Sequence, residues 1–139
     1  MAKKILPPEA LLEFFELEPF VRRWKKYGFP DEELGNLEIE IMAGPRSHPV
    51  IPGTRGLRKM RYSPASWPKG KSGALRVCYV YFERWGAVTL LIAYAKSEMD
   101  DLPERMKPAL NAAIDDIETH LERLFSQGTI NDKGRKGTA

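Results

Sequence analysis

Two apolar segments only four residues apart constrain this chain more than any other feature. Residues 75–82 read Leu-Arg-Val-Cys-Tyr-Val-Tyr-Phe, and residues 87–95 are again dense in Val, Leu, Ile and Tyr. β-Branched and aromatic side chains suit a pleated, buried surface. Glu83, Arg84, Trp85 and Gly86 lie between the segments. Four residues are enough for a hairpin turn and far too few for a parallel crossover. An antiparallel pair is therefore expected. An isolated hairpin is marginal in water, so further elements must cover it.

Candidates for those elements flank the pair. Residues 57–62 alternate in character and read as a third strand. Residues 103–127 carry Met106, Leu110, Ala113, Ile114, Ile117, Leu121, Leu124 and Phe125 at spacings of three and four, with Pro103 at the start and Gly128 after the end. That is the pattern of a long amphipathic helix. Nearer the N-terminus, residues 19–27 read as a short helix with Pro19 in its first turn, stopped by Gly28 and Pro30. A second helix follows from Asp31 as N-cap, with Leu34, Leu37, Ile41 and Met42 as its apolar stripe, and ends at Gly44 and Pro45. Residues 10–17 are ambiguous between helix and strand. Residues 46–56 and 63–74 are punctuated by Pro and Gly and read as loops. The sum is α+β: a small antiparallel sheet of at least three strands, two N-terminal helices and a long C-terminal helix. A chain of 139 residues fits one domain, expected at 11–127, with a flexible arm at 1–10 and a disordered polar tail at 128–139.

Composition removes several classes. Cys78 is the only cysteine, which excludes a disulfide scaffold. No apolar run approaches the length of about 18 residues that a membrane-spanning helix needs. Lys3 and Lys4 are followed by a proline pair and acids, which is not the pattern of a signal peptide. A soluble, intracellular protein from a reducing compartment, with no membrane partner, is expected.

The distribution of charge is more informative than its total of +3. Residues 1–40 and 83–139 are each net acidic. Residues 41–82 hold eight basic residues and no Asp or Glu: Arg46, Arg55, Arg58, Lys59, Arg61, Lys69, Lys71 and Arg76. Such a block is the electrostatic footprint of a polyanion partner. Alternation along the strands puts Leu57, Lys59 and Arg61 on one face and Arg58, Met60 and Tyr62 on the other. In the next strand Arg76, Cys78 and Val80 share a face, and Val77, Tyr79 and Tyr81 the opposite one. Lys59, Arg61 and Arg76 converging on one side would make a cationic floor. Lys69 and Lys71 stand beside Gly70 and Gly73, where the backbone can approach a phosphate. Trp67 and Tyr79 offer ring faces for stacked bases, and Arg55 and Arg58 further contacts to RNA.

The inventory of other chemistry is short. His48, His120 and a single cysteine do not assemble a zinc site. His120 reads as a mid-helix surface or half-buried residue, and Cys78 as a core thiol. Asp100-Asp101 and Asp115-Asp116 lack a metal motif, and the first pair reads as a cap for the last helix. Neither a phosphate-binding Walker loop nor a dinucleotide fingerprint is present. Catalysis would then rest on Lys, Arg, Tyr or Glu, with the substrate supplying the nucleophile and with no cofactor or metal. RNA meets that condition, because its 2′-hydroxyl can attack the adjacent phosphate. Such a reaction needs a proton acceptor, cations for the phosphorane and a donor for the departing 5′-oxygen. Arginine suits the second task, since its planar fork pairs with phosphate oxygens.

Three segments carry a family resemblance. Gly53-Thr54-Arg55-Gly56-Leu57-Arg58-Lys59-Met60-Arg61-Tyr62, then Gly70-Lys71-Ser72-Gly73-Ala74-Leu75-Arg76-Val77-Cys78-Tyr79, then Tyr94-Ala95-Lys96-Ser97-Glu98-Met99-Asp100-Asp101-Leu102 resemble the RelE superfamily of toxins, and within it the HigB-like branch, in order and spacing. The similarity spans roughly residues 11–125. It implies a small sheet flanked by helices, with residues 11–17 as its first strand. It also implies a toxin of a type II toxin–antitoxin pair, a metal-independent endoribonuclease that cleaves mRNA in the ribosomal A site, inhibits translation and is blocked by a cognate antitoxin. By the same resemblance Arg76 contacts the scissile phosphate. Lys59, Arg61 and Lys71 are the surrounding basic positions, and Lys96 follows the last strand. Ser97 stands where well-studied members have arginine, and Leu102 or Pro103 where they have tyrosine, so Tyr94 and Lys96 both stand as candidates for the general base. The alternatives are a non-catalytic RNA- or ribosome-binding module on the same fold, and a protein-interaction role alone.

Overall fold

A computed structural model describes residues 11–67 and 74–126. The expected arm, the polar tail, Lys69 and Lys71 lie outside the described residues. The elements run β1 (Glu13–Glu16), α1 (Glu18–Tyr27), α2 (Asp31–Met42), β2 (Arg58–Tyr62), β3 (Leu75–Phe82), β4 (Ala87–Ala95) and α3 (Lys107–Ser126). The class is α+β, as the sequence leads one to expect. The sheet order is β1-β4-β3-β2, antiparallel throughout its β2-β3-β4 portion. Residues 13–16 resolve as a strand, which joins the β4 edge in parallel. The parallel pair is possible because α1, α2 and the rest of the sheet intervene between β1 and β4.

The β3–β4 hairpin turns through a short 3-10 segment, Glu83–Trp85, and Gly86 at φ 59°. Its strands are apolar on both faces because both faces are covered. Phe20 of α1 and Leu37 and Ile41 of α2 pack with Met60, Leu75, Val77, Tyr79 and Leu90 on one side. Leu110, Ile114 and Leu121 of α3 pack with Leu57, Cys78, Val80, Phe82 and Tyr94 on the other. Register slips between Cys78 and Tyr79, which pair with Ile92 and Leu90, so that β4 carries Leu91 as an extra residue. Both Leu91 and Ile92 then enter the α3-side core.

Local signals explain the helix limits. Pro19 sits in the first turn of α1, and Gly28 at φ 68° closes it with its N–H on the Lys25 carbonyl. Asp31 is the first residue of α2 instead of its cap, a place held by Pro30. Asp31, Glu32 and Glu33 then stand in the first turn, where the helix dipole favours acids. The last helix starts later than its apolar period suggests, because residues Glu104–Met106 form a 3-10 turn after Pro103. Asp100 and Asp101 therefore do not cap it. Among the described residues no helix is long and apolar enough to cross a membrane.

Glu33 is 2% exposed, and its carboxylate accepts hydrogen bonds from the Tyr62 hydroxyl and from the Ala65 N–H at 3.3 Å. This buried acid ties α2 to the end of β2. Glu33→Ala leaves both donors without that partner and is expected to cost about 2 kcal/mol of stability, read as a lowered urea midpoint.

Candidate nucleic-acid interface

Strand register decides which cations meet. Arg61 lies directly opposite Arg76, Arg76 opposite Tyr94, and Lys59 opposite Cys78. Alternation puts all of them on the α3 side of the sheet, at the end that β3 enters and β4 leaves. The expected convergence of Lys59, Arg61 and Arg76 is thus present. Like charges directly across a pair of strands are unfavourable, by roughly 0.2–1 kcal/mol. Yet no carboxylate among the described residues forms an ion pair with either arginine. Arg61 is exposed, and Arg76 spends one hydrogen bond on the Ala74 carbonyl, 3.1 Å away. Lys59 is paired, with its Nζ 2.9 Å from Asp101 Oδ1. That contact, with the positive charges of Arg76 and Lys107 behind it, holds the Asp101 carboxyl below the usual carboxylate range.

Tyr94 lies beneath the floor. Its side chain is fully buried, and its hydroxyl has no hydrogen-bond partner among the described residues. Burial, then the nearby Cys78 and Asp101, raise its pKa well above that of an ordinary phenol. Tyr94 is therefore held as the neutral phenol. Burial likewise pushes the Cys78 thiol up to about 12, as fits a core residue. Lys96 is exposed in the turn that follows β4.

The remaining candidates go elsewhere. Tyr79 is fully buried on the α2 side, and its hydroxyl donates to the Pro45 carbonyl at 2.8 Å, so its ring is not open to a base. Trp67 packs edge-on to Tyr27 and against Phe29, on the same far side. Arg58 donates to the carbonyls of Arg46 and His48 and holds that loop. Arg55 pairs with Asp115 of α3 at 2.9 Å. Spacing alone does not reveal these contacts, because each partner is distant in sequence. His48 rests edge-on to Tyr79, and burial lowers its pKa. His120 is exposed on α3. No group of three or more His, Cys, Asp or Glu among the described residues could hold a metal ion.

One basic cluster escaped the reading by segment averages. Arg22, Arg23, Lys25 and Lys26 end α1, hidden in a region whose net charge is negative. The turn after β4 docks there. Glu98 receives Lys26 Nζ at 2.8 Å, the Ala95 N–H at 3.1 Å and the Tyr27 hydroxyl, with Arg23 at 3.7 Å. Four positions of basic residues in five was the available signal. The cluster brings a second set of cations to the sheet end where Lys96 stands.

No family model matches the chain. Among solved structures it is similar to a double mutant of the E. coli toxin RelE in the free state, with a TM-score of 0.46 and 15% identity, over 64% of this chain and 87% of that chain.

The hydrogen bonds from Lys26 and Tyr27 lower the Glu98 pKa from 4.5 to about 2. A depressed carboxylate stabilises the fold fully above its unfolded pKa and loses that contribution as pH falls through the folded value. Glu98→Gln is therefore expected to be less stable than the parent at neutral pH. The gap should close between pH 4.5 and about 2, as followed by chemical denaturation at each pH.

Proposed function

We propose that the chain is a metal-independent endoribonuclease, a toxin of the HigB-like branch of the RelE superfamily. In this reading it cleaves mRNA in the ribosomal A site and is neutralised by a cognate antitoxin in the cytoplasm. The observation that carries the proposal is the pair of cross-strand arginines, Arg61 and Arg76, without an ion-pair partner among the described residues. A protein that keeps two like charges opposed on a sheet pays in stability, and a phosphate between them would remove the cost. The three motifs quoted above support the same reading.

Arg76 would hold the scissile phosphate and, with Arg61 and Lys59, stabilise the negative charge that grows on it. The 2′-oxygen bonds to phosphorus, the 5′-oxygen leaves, and the products are a cyclic phosphate and a 5′-hydroxyl. Tyr94 lies buried beneath this floor, so the departing 5′-oxygen takes its proton from solvent. Asp101 is held ionised by Lys59 and is a weak proton acceptor. Of the two candidate bases, Lys96 is the accessible one, and it accepts the 2′-proton only as the free amine, a form that neighbouring cations on the occupied site would have to favour.

A second reading has one observation in its favour. The buried Tyr94 cannot take a proton, and the floor then carries cations without a strong base at hand. That arrangement suits a non-catalytic RNA- or ribosome-binding module.

The two part on one experiment. A defined mRNA is incubated with the protein, with and without translating ribosomes, and its 5′-ends are mapped. Ribosome-dependent cuts that fall at least 100-fold in Arg76→Ala, with an unchanged circular-dichroism spectrum, are the expected result. Salt-sensitive binding with intact transcripts would select the non-catalytic module instead.

A further inference from the structure

The turn that carries Lys96 is held more firmly than a turn of its length requires. Two backbone bonds already close it, from the Glu98 N–H to the Ala95 carbonyl at 2.9 Å and from the Met99 N–H to the same oxygen at 3.1 Å. A side-chain clamp is added from α1. The Ala95 N–H is shared between Glu98 Oε1 and the Tyr27 hydroxyl oxygen, 3.1 Å from each. The Tyr27 hydroxyl in turn donates to Glu98. Lys26 holds the second carboxylate oxygen at 2.8 Å. One carboxylate thus ties the last residue of β4 to the last turn of α1.

Tyr27 is itself braced. Its half-buried ring packs edge-on to Trp67, with centroids 5.4 Å apart, and against Phe29 at 5.5 Å. One tyrosine therefore meets both the segment that leaves β2 past Arg61 and the turn that leaves β4 past Tyr94. The clamp also decides what Lys96 does not touch. Glu98 is two residues away, yet its charge is taken by Lys26. Among the described residues no acid forms an ion pair with the exposed Lys96. A lysine ends in a point charge on a flexible four-carbon stem. Its backbone must be fixed if the amine is to meet one atom reproducibly.

Resting on the proposed RNA-cleaving function, we propose that Tyr27 and Glu98 are positioning residues, which hold the Lys96 turn so that the lysine amine reaches the reacting phosphate. Neither touches the substrate. Lys96 stands two residues beyond Tyr94, whose partner across the sheet is Arg76. The turn therefore starts at the same end of the sheet as the unpaired arginines. Loss of the clamp leaves only the two backbone bonds, and the turn is then free to shift against α1. A misplacement of about 1 Å costs a rate on the order of 100-fold.

The test separates chemistry from stability. Single-turnover cleavage of a defined mRNA on programmed ribosomes is followed at rising concentrations of the full-length protein, which yields a limiting rate and a half-saturating concentration. Tyr27→Phe keeps the ring and loses only the hydroxyl. It is expected to lower the limiting rate about tenfold, with the half-saturating concentration unchanged. Glu98→Gln should do the same. On a Lys96→Ala background Tyr27→Phe should add nothing, because both act through one amine. An unchanged limiting rate in Tyr27→Phe, with only a lower urea midpoint, would reduce the clamp to a structural tie and overturn the proposal. So would a loss of the same size that persists on the Lys96→Ala background. Absence of cleavage by the parent protein would overturn the RNA-cleaving reading itself, and this role with it.

Discussion

Burial of β3 on both faces is the constraint from which the rest follows. Val77 and Tyr79 face α1 and α2, while Cys78 and Val80 face α3, and all four are at most 5% exposed. A central strand that is apolar on both sides commits the chain to a three-layer arrangement, since either face left bare would expose a large apolar patch. Within that strand Arg76 is the one charged residue. It lies opposite Tyr94 near the start of the strand, two rows before the Cys78–Ile92 pair at which the register shifts. The position of a single guanidinium is thus set by the hydrophobic pairing of its neighbours.

The electrostatics around it are selective. Acids are spent on Lys59, Lys107, Arg55 and the end of α1, through Asp101, Glu104, Asp115 and Glu98. Surface pairs of this kind contribute little to stability. They leave Arg61 and Arg76, directly opposed across two strands, without an ion-pair partner among the described residues. A uniformly basic surface would attract polyanions without orienting them.

The hairpin, the α3 period and the two early helices were all legible, because each is encoded by local spacing. The convergence of Lys59, Arg61 and Arg76 was legible too, once alternation was granted. What the sequence hid depends on tertiary partners. Tyr79 resembles a stacking platform until α2 covers it, and Arg58 resembles a phosphate ligand until the carbonyls of Arg46 and His48 claim it. Asp101 resembles a helix cap until Lys59 reaches it. The bulge at Leu91 and the parallel seat of β1 have no local signature. Both arise from the fit of one element on another.

The loop that Arg58 holds continues as a strip along β2, where the Lys59 N–H donates to the Pro49 carbonyl at 3.0 Å and the Ile51 N–H to the Leu57 carbonyl at 2.8 Å. This strip at residues 49–52 has a consequence for behaviour at high concentration. An edge strand offers a row of unpaired amides and carbonyls on which another chain can template, and aggregation commonly starts there. Here the outer side of β2 is already taken by a short cover that begins and ends in proline, and proline has no N–H to offer the next strand. The sheet therefore cannot be extended from that side by simple addition of strands, and a deletion that removed the cover would expose a self-association surface.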